Sequence, residues 1–246
     1  MDLKVVVAAH KPYRMPADGC YLPVQVGAAG RPGIGFARDD AGESISARNA
    51  NWCELTGLYW AWRNLRSDAL GLVHYRRHFR GRGGIATGAE LAAALARTGI
   101  VLPRRRNYFI ETTRSQYVHA HHAADLDVTR RILVERHPDC VAAFDRAMAS
   151  TKGHRFNMFV MRRDLADRYC AWLFDVLFEL ERRLDISGYS PYDARVFGFV
   201  AERLLDVWLA ANRLEGEELP VLHLEPQRWV RKILSFLGRK FGIISA

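Results

Sequence analysis

The 246-residue sequence contains no run of 18 or more apolar residues, which argues against a spanning helix. It has only four cysteines, Cys20, Cys53, Cys140 and Cys170, far apart and with no CxxC pair. That argues against a disulfide framework or a cysteine zinc site and fits a reducing compartment. Phosphate-loop and nucleophile-elbow motifs are missing. There is no Walker loop, residues 27–35 do not match GxGxxG, and no GxSxG occurs. Serine hydrolase chemistry therefore has no local support. Internal repeats and low-complexity tracts are also absent. The first residues, Met1-Asp2-Leu3-Lys4-Val5, run directly into a strand-like pattern, and no signal peptide is expected.

Lysine is scarce, with 5 residues beside 31 arginines, and acid is in deficit, leaving a net charge of +9. A compositional bias of the gene accounts for the arginine as readily as function does. The functional reading is an anionic partner: nucleotide, polyphosphorylated lipid, membrane surface or nucleic acid. Guanidinium suits such partners because it binds phosphate and carboxylate bidentately. With 49% apolar residues the chain can bury a full core, and its length suits one large α/β domain or one domain with a tail.

Apolar runs at 3–9, 21–26, 70–75, 100–103, 156–161 and 221–225 read as strands, and 27–42 as a glycine-rich loop. Helical spacing is expected over 51–65, 125–136, 164–184 and 191–213 and from Pro138 to about 148. Thr87-Gly88-Ala89-Glu90 is a capping-box pattern opening a helix that runs to Gly99. Residues 104–124 read as irregular. Strands alternating with helices predict an open α/β sheet, with ligands at the strand carboxyl ends.

Four polar clusters fall in such places. His10, Lys11 and Tyr13 follow the first strand, with ring faces for a base and a cation for phosphate. His74-Tyr75-Arg76-Arg77-His78-Phe79-Arg80 follows the central strand, and a cationic cluster so close to a buried strand would complement a pyrophosphate. His119, His121 and His122, with Asp125 and Asp127, suit acid–base chemistry, acceptor binding or a Zn²⁺ site, or form a plain surface cluster. In the fourth cluster, Asp193, Arg195 and Glu202 sit on an expected helix. Arg195 and Glu202 lie seven residues apart with Phe199 between them. Gly198 there suggests close approach of a ligand or of backbone.

The segments AAHKPY (8–13), ARDDAGESIS (37–46), CELTGLYWAW (53–62), GLVHYRRHF (71–79), LPRRRNYFIET (102–112), HAHHAADLD (119–127), FNMFVMRRDL (156–165) and SPYDARVFGFVAERLL (190–205) occur in this order. Together they resemble a bacterial capsular and exopolysaccharide biosynthesis glycosyltransferase family, long filed as a domain of unknown function, over residues 4 to about 210. The resemblance implies a GT-A-like open twisted sheet flanked by helices. It also implies sugar transfer from a nucleotide-sugar donor, with galactofuranose among the candidate sugars, to a lipid-linked surface glycan. His74-Tyr75-Arg76 stands where most GT-A enzymes carry an acidic DxD metal motif, so the resemblance favours metal-independent transfer. The acidic pair Asp39-Asp40 keeps Mn²⁺ or Mg²⁺ open. On this reading, if transfer inverts the configuration, Glu202 is the base that deprotonates the acceptor hydroxyl, and Asp193 is the second choice. Donor contacts are expected at His10, Lys11, Tyr13, Asp39, Asp40, His74, Arg76, Arg77, Asn157 and Arg195. Acceptor contacts are expected at Asn107, Tyr108, His119, His121 and His122.

The expected organisation is one catalytic domain over 1–225 and a basic tail over 226–246. That tail has no Asp or Glu, and Val230, Ile233, Leu234, Leu237, Phe241 and Ile244 form one apolar stripe. A basic amphipathic helix of this kind suits an anionic bilayer surface, and docking on this domain or on a partner chain would also account for it. The expected setting is the cytoplasm, peripherally associated with the inner face of the cell membrane, with no nucleic-acid partner. The alternative is a non-enzymatic basic module for RNA or an anionic glycan, with Tyr108, Phe109 and Tyr117 as stacking platforms.

Overall fold

The computed structural model describes residues 1–225; the expected amphipathic tail over 226–246 lies outside the described residues. Strands β1 (Leu3–Ala9), β2 (Tyr21–Gln25) and β3 (Ala37–Arg38) are followed by helices α1 (Asn49–Trp52) and α2 (Leu55–Asn64). Then come β4 (Ala69–His74), β5 (Arg77–Gly81), β6 (Gly84–Ile85), α3 (Gly88–Thr98), β7 (Ile100–Pro103) and β8 (Arg106–Asn107). The second half runs through α4 (Thr113–Val118), α5 (Ala123–Arg136), α6 (Val141–Ala149), β9 (Lys152–Gly153) and β10 (Phe159–Arg162). It ends with α7 (Arg163–Arg183), α8 (Val196–Ala211), β11 (Glu217–Leu219) and β12 (Val221–His223).

The main sheet has the order β11-β7-β10-β4-β1-β2-β3, and every pairing in it is parallel except the two made by β10. Six strands therefore point one way, and their carboxyl ends share one edge of an open, twisted α/β sheet. Both faces are covered, which explains why β1 carries an unbroken apolar run and not an alternating one. Val6 and Ala8 face one core with Leu70, Leu72 and Phe159, under α2 and α7. Val5, Val7 and Ala9 face the other core, with Leu91, Ala94 and Leu95 of α3. The apolar stripe of α7 is core, with Leu165, Tyr169, Leu173, Val176, Leu177 and Leu180 all buried. Helices α5 and α6 pack behind α7 and α8. The capping box at Thr87 is present, and Gly99 closes α3 in the left-handed conformation. Among the described residues no helix is long and apolar enough to cross a membrane.

Several elements differ from the sequence expectation, each for a local reason. The helix expected over 51–65 is two pieces, because Cys53 takes φ 52° and turns the chain between α1 and α2. The strand expected from 156 starts at Phe159, since Phe156 and Asn157 sit at φ 78° and 53°. Residues 77–81 form β5, folded back on β4 by the Tyr75-Arg76 turn and joined on its other side by β12. The stretch over 104–124, expected to be irregular, contains β8 and α4. The latter is capped by Thr112, whose hydroxyl accepts from the Ser115 N–H. The helix expected from Pro191 begins at Val196, after a single 3-10 turn over Asp193–Arg195.

Candidate functional site

A cavity of about 550 Å³ opens at the carboxyl edge of the sheet. That volume is of the size that encloses a small organic ligand. Its floor is the end of β1, through Ala8 and His10, and the β4–β5 turn from His74 to Arg77. One side comes from the α1–α2 break, through Asn49, Cys53 and Glu54; the other comes from the start of α8, through Arg195, Gly198, Phe199 and Glu202. Arg31 and Phe156 complete the wall.

The walls are held by buried polar contacts and by strain. Gly27 sits at φ 65° where a Cβ would fall 2.5 Å from the Asn49 side chain, so only glycine lets the loop after β2 meet α1. The Asp39 carboxylate is fully buried and accepts from the Gly27 N–H at 2.9 Å, the Ala28 N–H at 3.0 Å and the Ser46 hydroxyl. His74 donates from Nε2 to the Phe156 carbonyl at 2.6 Å. The Asn157 amide donates to Glu54 at 2.6 Å and to the Gly198 carbonyl at 3.1 Å. Of the five described non-glycine residues at positive φ, Cys53 and Phe156 line the cavity and Asn157 supports it. Backbone strain of this kind persists only where surrounding contacts hold it, and it concentrates at functional sites.

The electrostatics are cationic, with two carboxylates. Arg31, Arg76, Arg77 and Arg195 line the cavity together with Glu54 and Glu202. Arg77 is the most telling of these. Its Nε is buried without a hydrogen-bond partner among the described residues, and its guanidinium lies 4.7 Å from the Phe156 ring centre. Burial first, then the neighbouring Arg76, pull its pKa below the ordinary arginine value. It is still a cation at neutral pH. A cation partly withdrawn from water, with one N–H left unpartnered, is costly unless an anion meets it. Arg195 lies over Phe199 at 5.4 Å and donates from Nε to the Cys53 sulfur at 3.2 Å. Burial pushes the Cys53 thiol up to about 11, so it faces the cavity uncharged. Burial, and then Lys11, Arg76, Arg195 and Arg31, lower the His10 pKa, so its ring is neutral at pH 7. Glu202 accepts from Arg203 at 3.0 Å, and Arg203 is itself fixed by the Phe199 carbonyl at 2.8 Å and by Gln116 at 3.1 Å.

The structure thus brings His10, His74, Arg76, Arg77, Arg195 and Glu202 to one cavity. Lys11 and Tyr13 stand beside it around Tyr75, with the Lys11 ammonium 5.4 Å and the Tyr13 ring 4.9 Å from the Tyr75 ring centre. Asn157 lies behind the wall as a brace for Glu54. Asp39 and Asp40 do not line the cavity. The first is occupied by the hydrogen bonds above, and the second is paired with Arg38 at 2.6 Å. They therefore do not fit a divalent metal. Among the described residues no three His, Cys, Asp or Glu side chains converge as a metal site.

The histidine cluster faces several different partners. His119 binds Glu111 at 2.6 Å, and His122 stacks on Tyr189 at 4.0 Å. His121 binds Asp193 at 3.2 Å and stacks on Phe199 at 4.2 Å. Phe199 thus separates this second cluster from the cavity it lines. Asp193 also accepts from the Ser190 hydroxyl at 2.7 Å. Asp125 is buried between the hydroxyls of Tyr117 and Tyr189, each at 2.7 Å, as a structural tie. Asn107 and Tyr108 lie on and just after β8, outside the cavity wall, with Tyr108 against Arg155. The tight approach expected at Gly198 is not seen among the described residues, since a Cβ there would lie 3.4 Å from the Cys53 side chain, an ordinary van der Waals contact.

Sequence reasoning missed Arg31, Asn49, Cys53, Glu54 and Phe156. A signal existed for Glu54, an acid within an otherwise apolar helical segment. For Arg31, in a glycine-rich loop, nothing in the sequence set it apart from the other arginines.

One solved structure with this fold is titled as the apo form of WbbM, a bifunctional glycosyltransferase. It superposes with a TM-score of 0.84 at 25% identity over 92% of this chain. The chain spans only 46% of that protein's length. No curated protein sequence matches the chain. Residues 4–213 match the family described as a domain of unknown function (DUF4422), and the chain belongs to that family.

Proposed function

We propose that this protein is a glycosyltransferase that moves a sugar from a UDP-sugar donor to a lipid-linked acceptor of a surface polysaccharide at an anionic membrane face. The observation that carries the reading is Arg77, a half-buried cation whose Nε is buried without a hydrogen-bond partner among the described residues, in a cavity it shares with three other arginines and two carboxylates. The likeness to a bifunctional glycosyltransferase supports the same reaction class.

In this mechanism the arginines meet the donor diphosphate and neutralise the charge that grows on it as the sugar leaves. Fixed cations aimed at developing charge act strongly in a site shielded from water. The need is positive charge, so the proposed reaction runs without a resident metal. Glu202 takes the proton of the acceptor hydroxyl as its oxygen attacks the anomeric carbon. The bond from that carbon to the diphosphate oxygen breaks, the electron pair leaves with UDP, and the configuration inverts. Galactofuranose is the candidate sugar by family resemblance.

A basic RNA-binding module is the competing class. It would spread its cations along a face, whereas four of the arginines here converge on one concavity beside carboxylates. Thermal-shift measurements separate the two. UDP and UDP-sugars are expected to raise the melting temperature, with chelator present, and oligonucleotides to leave it unchanged. Stabilisation by oligonucleotides alone would contradict the transferase reading.

A further inference from the structure

We propose that the loop between β8 and α4 inserts Phe109 and Ile110 into an anionic bilayer, as a contact separate from the tail over 226–246. The proposal deepens the membrane part of the reading above and rests on it only for its purpose.

The loop presents its apolar residues outward. Phe109 is 79% and Ile110 69% exposed, adjacent to each other at the tip. The loop is built, not frayed. The Phe109 N–H donates to the Asn107 side chain at 2.9 Å and the Ile110 N–H to the Tyr108 carbonyl at 2.7 Å. Tyr108 anchors the base, its ring within 5.5 Å of Arg106 and 5.4 Å of Arg155. Phe109 is held at φ 58°, a conformation that a phenylalanine adopts only under constraint. The constraint holds a large ring out in water.

The charge beside the tip is predominantly basic, with Arg105 alone of the arginines just before it paired to an acid among the described residues, to Glu218 at 3.6 Å. Arg104, Arg105 and Arg106 are exposed just before it, and Lys152 is exposed on the strand paired with β8. The only acid between residues 103 and 120 is Glu111, which is buried against His119. Two exposed apolar side chains flanked by exposed cations suit the headgroup region of an anionic bilayer, where the cations meet lipid phosphates and the apolar groups enter the acyl boundary. The position fits that use. The chain reaches the loop from the carboxyl end of β7, on the sheet edge that carries the cavity, and only β10 separates β7 from β4. A bilayer touching the loop would lie beside the cavity mouth.

The test is co-sedimentation of the full-length protein with phosphatidylcholine vesicles, with and without phosphatidylglycerol. Wild type is expected to bind only the anionic vesicles. Phe109→Ser/Ile110→Ser is expected to bind them at least about tenfold more weakly, since two large apolar side chains no longer leave water. Its melting temperature and its stabilisation by UDP are expected to stay those of wild type. Phe109→Trp is expected to bind like wild type, with emission shifted to the blue by anionic vesicles. Equal binding of the double variant would overturn the loop proposal while leaving the UDP reading intact. Absence of wild-type binding would overturn the membrane contact altogether. Self-association of wild type that the double variant loses, without vesicle binding, would assign the tip to a second copy and overturn it too.

Discussion

Glu202→Gln is expected to lower the rate of sugar transfer by about 10² or more, the usual contribution of a positioned base. Glutamine keeps the shape and can still accept from Arg203, which holds Glu202 at 3.0 Å from inside the fold. Donor affinity and melting temperature are therefore expected to stay near those of wild type. Two comparison variants make the outcome specific. In Glu54→Gln the amide oxygen can still accept from Asn157, so only the charge is lost and transfer is expected to persist. In Asp193→Asn a residue already engaged by Ser190 and His121 is altered, and transfer is again expected to persist. Steady-state rates with a fixed UDP-sugar and acceptor check all three. Loss confined to Glu54→Gln would move the base across the cavity. Unfolding of Glu202→Gln would reduce Glu202 to a structural partner of Arg203.

Arg77→Ala is expected to weaken UDP binding by roughly 1.5–3 kcal/mol, the range for a hydrogen bond to a charged group. Arg76→Ala should act in the same direction. Uridine affinity should change little in either variant, because the cations are proposed to meet the diphosphate and not the nucleoside. Titration calorimetry with UDP and with uridine reads this difference directly. The Arg77 variant carries a second expectation. Its Nε is buried with no partner among the described residues, so removing the guanidinium should leave the melting temperature of the free protein close to that of wild type. A cation kept for packing alone would give the reverse: a less stable protein with unchanged UDP affinity.

The parts of the fold legible from sequence are those decided by burial. The unbroken Val5-Val6-Val7 run announces a strand covered on both faces, and the α7 stripe announces a core helix. The site was legible to the extent that strand ends are legible. His10 follows β1 and His74 closes β4, so the polar residues there had to gather at one edge. What was hidden depends on contacts between distant segments. Cys53 turns the chain at positive φ where it packs against α8 beside Gly198. No local preference of cysteine predicts that conformation. Phe156 and Asn157 leave the strand pattern because His74 and Glu54, from other elements, hold them. Asp39 reads like a metal ligand in one dimension. In three dimensions its carboxylate is spent on the loop backbone at Gly27 and Ala28.

The most direct test of the central claim is transfer itself. Purified protein is incubated in chelator with a panel of UDP-sugars and a lipid-linked acceptor, and the products are read by mass spectrometry and NMR. The account predicts an acceptor heavier by one sugar, formed with stoichiometric release of UDP and with inverted anomeric configuration, and lost in Glu202→Gln. UDP-sugar that is left intact across the panel, or product that forms at the wild-type rate in both Glu202→Gln and Arg77→Ala, would contradict it.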